Sequence, residues 1–444
     1  MRTALFVFLV LGTMPLPKSY AQNARAANST VSGRWMVNAD FYGTRMDLSL
    51  ELKQDGENLT GSFQGNPLRG TVQGSVVKFV ATGGQGQTIE CAATLQGGTI
   101  SGTLAFSNAN NPQPPSTRPF TATLVPPRRA GNPQRHDFTP TIFYREFSAA
   151  NKPVLTVSPG DTVHTTTVDA GGTDEKGVTR VLGGNPETGP FYIETAAPGD
   201  TLVVHLNRVR LNRDWAISDD ALVGRAMDSG LAVKMKDGGK PVRWHLDTNR
   251  GAATLEKPGE HLEKYSIPLR PMLGCIAVAP PNSAGGLIAG DSAVIGGNMD
   301  FNEVVEGASV YLPVFVPGAL LYVGDGHAAQ GDGELNGNAL ETSMDVEFSV
   351  DVIPAGKALM GPRVESAAQI MTMGLSGSLD EALRSATANM AQWLTDDYAL
   401  TPSEVAEVLG TSAEYKVSEV ADRNAGVVLK IPKERLQPLA RVAK

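Results

Sequence analysis

Cysteine is nearly absent from this chain. The two present in 444 residues, Cys91 and Cys275, lie far apart in differently patterned regions, so no disulfide framework holds the fold together. Both read as small buried hydrophobes. Histidine is scarce as well, six in all and widely scattered, which argues against a metal site built from imidazoles alone. Aromatic residues are only 6% of the chain, and cations are outnumbered, 38 Lys and Arg against 46 Asp and Glu. The resulting net charge of −8 argues against nucleic acid or an anionic membrane surface as the main partner. Past the first residues, no apolar run approaches the roughly twenty residues of a membrane-spanning helix.

What the chain has instead is glycine and proline, 48 and 29 residues, with 41% hydrophobic residues to build cores. That combination predicts a turn-rich, mainly β protein, and its length predicts more than one domain. Arg2 followed by the apolar run Leu5 to Leu11 and closed by Ser19-Tyr20-Ala21 has the form of a signal peptide over residues 1–21. Cleavage after Ala21 makes the expected mature protein soluble and exported, periplasmic or extracellular.

From residue 31 to 125, short alternating runs such as Met46 to Leu52, Leu59 to Phe63, Val76 to Val80 and Thr99 to Phe106 are separated by Gly or Asn turns. The spacing predicts a small antiparallel β-barrel or sandwich. It contains no histidine, so it reads as an accessory module. The Asn- and Pro-rich stretches Asn108 to Pro119 and Pro126 to Pro133 read as linker, which sets the boundary at 126–136 and leaves 137–444 as the second domain.

That domain opens with two similar turns, Ser158-Pro-Gly-Asp161 and Ala197-Pro-Gly-Asp200, each feeding a β-branched strand. Pro268 to Pro281 and Val346 to Val352 read as strands, whereas the period turns helical only after Gly374. Ser378 with Glu381 and Thr401 with Glu404 form capping boxes, Pro402 opens the second helix, and Gly410 is its expected terminator. Positions 379, 382, 383, 386, 390, 393 and 394 form the apolar stripe expected on the first helix. Strand Val427 to Ile431 follows.

The chemistry concentrates between Gly296 and Glu341. Two Gly-rich turns, GGNMD at 296–300 and GDGHAAQGDGE at 324–334, carry carboxylates and one imidazole on either side of an apolar strand, Val310 to Val316. Asp325 and His327 are two residues apart and share one side of a strand, so both can face a cation. Asp332 and Glu334 lie within reach on the same string, Asp169 or Glu341 completes the set, and a carboxylate left unligated is free to act as base. Asn298 and Asp300, on the neighbouring turn, are placed to bind the substrate. His164 and His205 read as ordinary strand side chains. The EF-hand spacing is absent, no Gly/Ser-rich nucleophile loop is present, and Cys275 sits in an apolar strand unsuited to a reactive thiolate.

NPETGPFYIETAAPGDTLVV (185–204), PLRPMLGCIAVAPP, GGNMD and YLPVFVPGALLYVGDGHAAQGDGE together resemble the acetamidase/formamidase family over roughly 137–444. The resemblance implies a jelly-roll-like β-sandwich with an α/β segment near the C-terminus. It also implies hydrolysis of a short-chain amide and a divalent metal, zinc for preference. Cys275 departs from the family pattern, which bears on pocket shape. The expected site comprises catalytic Asp325, His327 and Glu341, metal ligands Asp169, Asp325, His327 and Glu341, and substrate-binding Asn298 and Asp300, acting through a metal-activated water. A homo-oligomer is compatible with this reading. The competing reading is an exported β-sandwich binding protein whose acidic turns hold a structural metal.

Overall fold

The computed structural model describes residues 30–356 and 358–442; the signal-peptide expectation for 1–21 lies outside them. Eight strands, from Gly33–Phe41 to Asn111–Leu124, pair antiparallel in sequence order, and the last returns to the first to close a barrel. Alternation explains the closure: Trp35, Val37 and Ala39, then Leu48, Leu50 and Leu52, point inward from successive strands and fill the interior with Phe63, Phe79, Leu104 and Phe120.

One boundary expectation is corrected here. The stretch Asn108 to Pro119 is not linker, because most of it belongs to the closing strand. Its prolines 114, 115 and 119 fall where that strand has at most one pairing neighbour, since pairing with the first strand begins only at Phe120. A missing N–H costs nothing on such an edge. The irregular connection is therefore 125–134, mostly exposed.

The rest of the chain forms two large sheets, of twelve and nine strands, packed over one apolar core that includes Phe147, Phe191, Leu273, Val310, Tyr322 and Phe348. The first sheet places strands Glu341–Thr342, Leu321–His327, Met272–Ala277 and Gly296–Asn298 side by side. The second carries the C-terminal strands Gln369–Ser376 and Ala425–Pro432, against which helices Leu379–Tyr398 and Pro402–Ser412 pack through Ala386, Met390, Trp393, Leu394 and Val405.

The helix caps differ from expectation in detail. Thr401 and Glu404 make the reciprocal capping box, while Ser378 only accepts from the Glu381 N–H. Gly410 is no terminator, since the helix continues to Ser412. Leu379 and Leu383 are exposed, which narrows the buried stripe to 382, 386, 390, 393 and 394.

The repeated Pro-Gly-Asp turns fasten the N-terminal part to this body. In each, the Asp side chain accepts from the backbone N–H three residues back, and the glycine takes φ of +90°. Asp161 then receives Arg129 at 2.6 Å, and Asp200 receives Arg34 from the first barrel strand. Asp47 of the barrel also accepts from Asn282 at 2.6 Å. Among the described residues, no helix is long and apolar enough to cross a membrane.

Candidate active site

Strand Leu321–His327 runs between Met272–Ala277 and Glu341–Thr342, and the register sets His327 directly opposite Glu341. Regular alternation does not aim Asp325, which has φ of +51° in the middle of this strand. The ladder is interrupted there, with Gly326 opposite Leu273 and Gly324 opposite Cys275. Asp325 thereby turns toward His327, its Oδ1 3.5 Å from Nε2. The same left-handed conformation recurs at Asn185, Asp300 and Glu334, with φ of +51°, +41° and +48°. Side chains other than glycine hold it only when the surroundings impose it, and such strain gathers at functional sites.

Around the His327 imidazole stand four carboxylates. Glu341 Oε1 is 3.3 Å and Glu334 Oε1 4.0 Å from Nε2, and Asp300 completes a second group with His327 and Glu334. Within each group, Asp325/His327/Glu341 and Asp300/His327/Glu334, the ligand atoms lie within 4.8 Å of one another. His327 and Asp300 are fully buried, and Asp325, Glu334 and Glu341 nearly so.

The tautomer of His327 follows from its neighbour. Gln330 spends its amide N–H groups on the carbonyls of Asp300, at 2.5 Å, and Ser418, at 3.2 Å. Its Oε1 can therefore only accept, and it takes the Nδ1–H of His327 at 2.9 Å. Nε2 is left facing the carboxylates, its lone pair available to a cation once its proton is displaced, and it has no hydrogen-bond partner; nor do Asp300 Oδ1, Asp325 Oδ1 and Glu341 Oε2. Orphaned oxygens and one imidazole nitrogen around a common point are the donor set of a divalent cation, and these residues fit one.

Protonation points the same way. Burial pushes the Glu341 carboxyl up to about 8, with the Asp325 charge adding to it. Burial and neighbouring carboxylates likewise raise Asp300 and Glu334 well above the usual range. Burial alone would lower His327, but the charges of Glu341 and Asp325 outweigh it and raise its pKa. So much like charge in a dry space demands protons or a cation.

Not every expected residue joins the cluster. Asp169 lies outside both ligand groups: its Oδ2 takes Arg213 at 2.7 Å and its Oδ1 the Thr173 N–H, because the buried Arg213 claims the nearest carboxylate. Asp300 does not line the cavity. It lies buried behind it, a candidate ligand rather than a substrate contact. Asn298 does line the cavity, yet its amide is fully used, donating to Asp300 at 2.7 Å and Asp422 at 2.6 Å and accepting from Asn185 at 3.0 Å. It ties the carboxylates in place. Asp332 is exposed and paired with Lys416. His164 and His205 bind surface carboxylates elsewhere.

Sequence reading missed Glu187, Asp422, Gln330 and Arg213. Glu187 is fully buried with both oxygens lacking hydrogen-bond partners, and it fits because position 324 is glycine, where a Cβ would sit 2.1 Å from its Oε2. An acid opening the strand Glu187–Ile193, whose later residues are small, apolar or aromatic, is the signal that marks it. Beside it, burial and the Glu187 charge push the Cys275 thiol well up, which rules out a resting thiolate.

A cavity of about 740 Å³ opens over Asp325, Glu334 and Glu341, and a second of about 920 Å³ shares Gly184, Asn185, Asn338 and Glu341 with it.

Residues 291–434 match the Acetamidase/Formamidase family. The chain is 42% identical over 67 residues to an acetamidase of Mycolicibacterium smegmatis, covering 15% of this chain and 16% of that protein. The matched stretches span less than half the length of the curated relatives. Solved structures extend the likeness. A predicted acetamidase/formamidase of Thermoanaerobacter tengcongensis superposes with TM-score 0.59 at 28% identity, over 69% of this chain and 98% of the other. An acetamidase of Yersinia enterocolitica gives 0.59 at 27%, over 68% and 93%.

Proposed function

We propose, on the premise that this chain belongs to the acetamidase/formamidase family, that its buried Asp325/His327/Glu341 cluster hydrolyses the C–N bond of a small linear amide. Water adds to the carbonyl carbon, the C–N bond breaks, and carboxylate and ammonia leave. The observation that carries this reading is His327 Nε2, aimed by Gln330 among orphaned carboxylate oxygens, beside a cavity that Asp325, Glu334 and Glu341 line.

Asp325, His327 and Glu341 are the residues that would hold a divalent cation, and their mixed N and O donors favour zinc. When bound, such an ion supplies Lewis acidity, polarising a carbonyl and acidifying water. Glu334, on the cavity wall with Oε1 4.0 Å from Nε2, is placed to take the proton of the attacking water and return it to the departing nitrogen. Asn298 and Asn185 hold the wall rigid through their mutual hydrogen bond. Burial keeps bulk water from competing for the carboxylates.

The test is His327→Ala, with bound metal and ammonia release from acetamide measured together. Both should fall, while His164→Ala and His205→Ala keep their metal. Full metal occupancy in His327→Ala defeats the assignment and favours the reading of a binding protein with metal held elsewhere. Residues 1–21 further support export to the periplasm or medium, which N-terminal sequencing of the secreted protein checks by finding Gln22 first.

A further inference from the structure

The cavity is large for acetamide: about 740 Å³ lies in the range that holds drug-sized ligands, so a four-atom amide leaves most of it to water. Its walls carry charges that the chemistry at His327 does not use. Arg145 and Glu146, consecutive and exposed, both line the cavity. Among the described residues neither side chain forms an ion pair, with the other or with a third group. The guanidinium of Arg145 donates only to the Gly183 carbonyl, at 3.2 Å, and the Glu146 carboxylate lies beside Gly286. The adjoining cavity differs: its cations Arg243 and Lys176 are already matched by Glu256 at 2.8 Å and Glu175 at 3.6 Å. Two unmatched charges of opposite sign, lining the same cavity as Asp325, Glu334 and Glu341, are the complement of a zwitterion.

We infer that the substrate is the ω-amide of an α-amino acid, with its carboxylate on Arg145, its ammonium on Glu146 and its amide at Asp325, His327 and Glu341. This rests on the amidase reading above and narrows its substrate class. Arg145 and Glu146 are specificity residues, acting on the end of the substrate that does not react. A guanidinium offers a carboxylate two parallel donors, and a carboxylate accepts from an ammonium, so each charge is read separately.

The experiment compares kcat/KM for glutamine, its deaminated analogue glutaramate, its decarboxylated analogue 4-aminobutyramide, and butyramide, which lacks both charges. Each charge should raise kcat/KM about fivefold, the worth of one partly exposed ion pair. Arg145→Gln should erase the advantage of the carboxylate and Glu146→Gln that of the ammonium, each leaving the other advantage in place. Glutamine turned over no faster than butyramide overturns the inference while leaving the amidase reading standing. A loss in Arg145→Gln shared equally by all four amides marks a structural role and also overturns it. If the metal-loaded chain hydrolyses none of the four amides and not acetamide either, the underlying reading fails and takes the inference with it.

Discussion

Gly274 separates packing from chemistry in this site. It faces the point where Asp325 leaves the regular ladder, and a Cβ added there would sit 2.3 Å from Asp325 Oδ2 and 2.4 Å from Asp300 Oδ1. Each oxygen is about 1 Å short of ordinary van der Waals separation, so both carboxylates must yield by roughly that much. Asp300 is fully buried and Asp325 nearly so, which leaves them little room. The backbone of Gly274 is not in the left-handed region, so Gly274→Ala acts through the wedge alone. Overpacking of this kind costs about 1–3 kcal/mol of stability. Metal ligands tolerate displacements of only about 0.2 Å, and disturbing a ligand's support typically costs ten- to a hundredfold in affinity. A chelator competition titration should therefore show Gly274→Ala binding its cation about ten- to a hundredfold more weakly, while thermal melting still reports a cooperative fold. Gly377→Ala, at a site with nothing within 4 Å, is the control and should match wild type. Unchanged cation affinity in a folded Gly274→Ala would falsify the placement of the ligands at Asp325.

Three other outcomes follow from the same geometry. Limited proteolysis should cut within 125–134 and leave a folded barrel, since that connection is exposed and the barrel has its own core; fragments that unfold on cleavage contradict an independent module. Cys275→Ala should keep most turnover and lose about 1 kcal/mol of stability to a small cavity, and a thousandfold loss of turnover with the fold intact would revive a thiol mechanism. Between pH 4.5 and about 8, folded cation-free chain keeps on Glu341 a proton that the unfolded chain releases, so its stability should fall as pH rises, and the raised His327 adds the same sign. A bound cation replaces those protons, so the melting-temperature gap between loaded and stripped protein should widen from pH 5.5 to 8.5; a constant gap contradicts the cluster's protonation.

Much of this was legible in the sequence because the barrel strands obey strict alternation and the C-terminal helices carry their own caps. Asp325 and His327 could be singled out because they share one Gly-rich string, whereas the place of Glu341 opposite His327 is set by strand register. Asp169 misled because its partner Arg213 lies 44 residues away in sequence, and a lone acid shows nothing of what will neutralise it. Asp300 looked like a substrate contact because its turn is Gly-rich, yet the turn folds inward. Glu187 and Gln330 escaped notice for the opposite reason: their roles come from glycine at 324 and from the carbonyls of Asp300 and Ser418, contacts made only in three dimensions. The closing barrel strand was hidden by prolines that are tolerable only at a half-paired edge.

The measurement closest to the central claim is ammonia release from acetamide by one preparation, assayed as purified, after chelator stripping, and after reloading with zinc. The ligand cluster at Asp325, His327 and Glu341 predicts turnover that is lost on stripping and restored on reloading in proportion to bound metal. Equal rates in the stripped and loaded protein would contradict it.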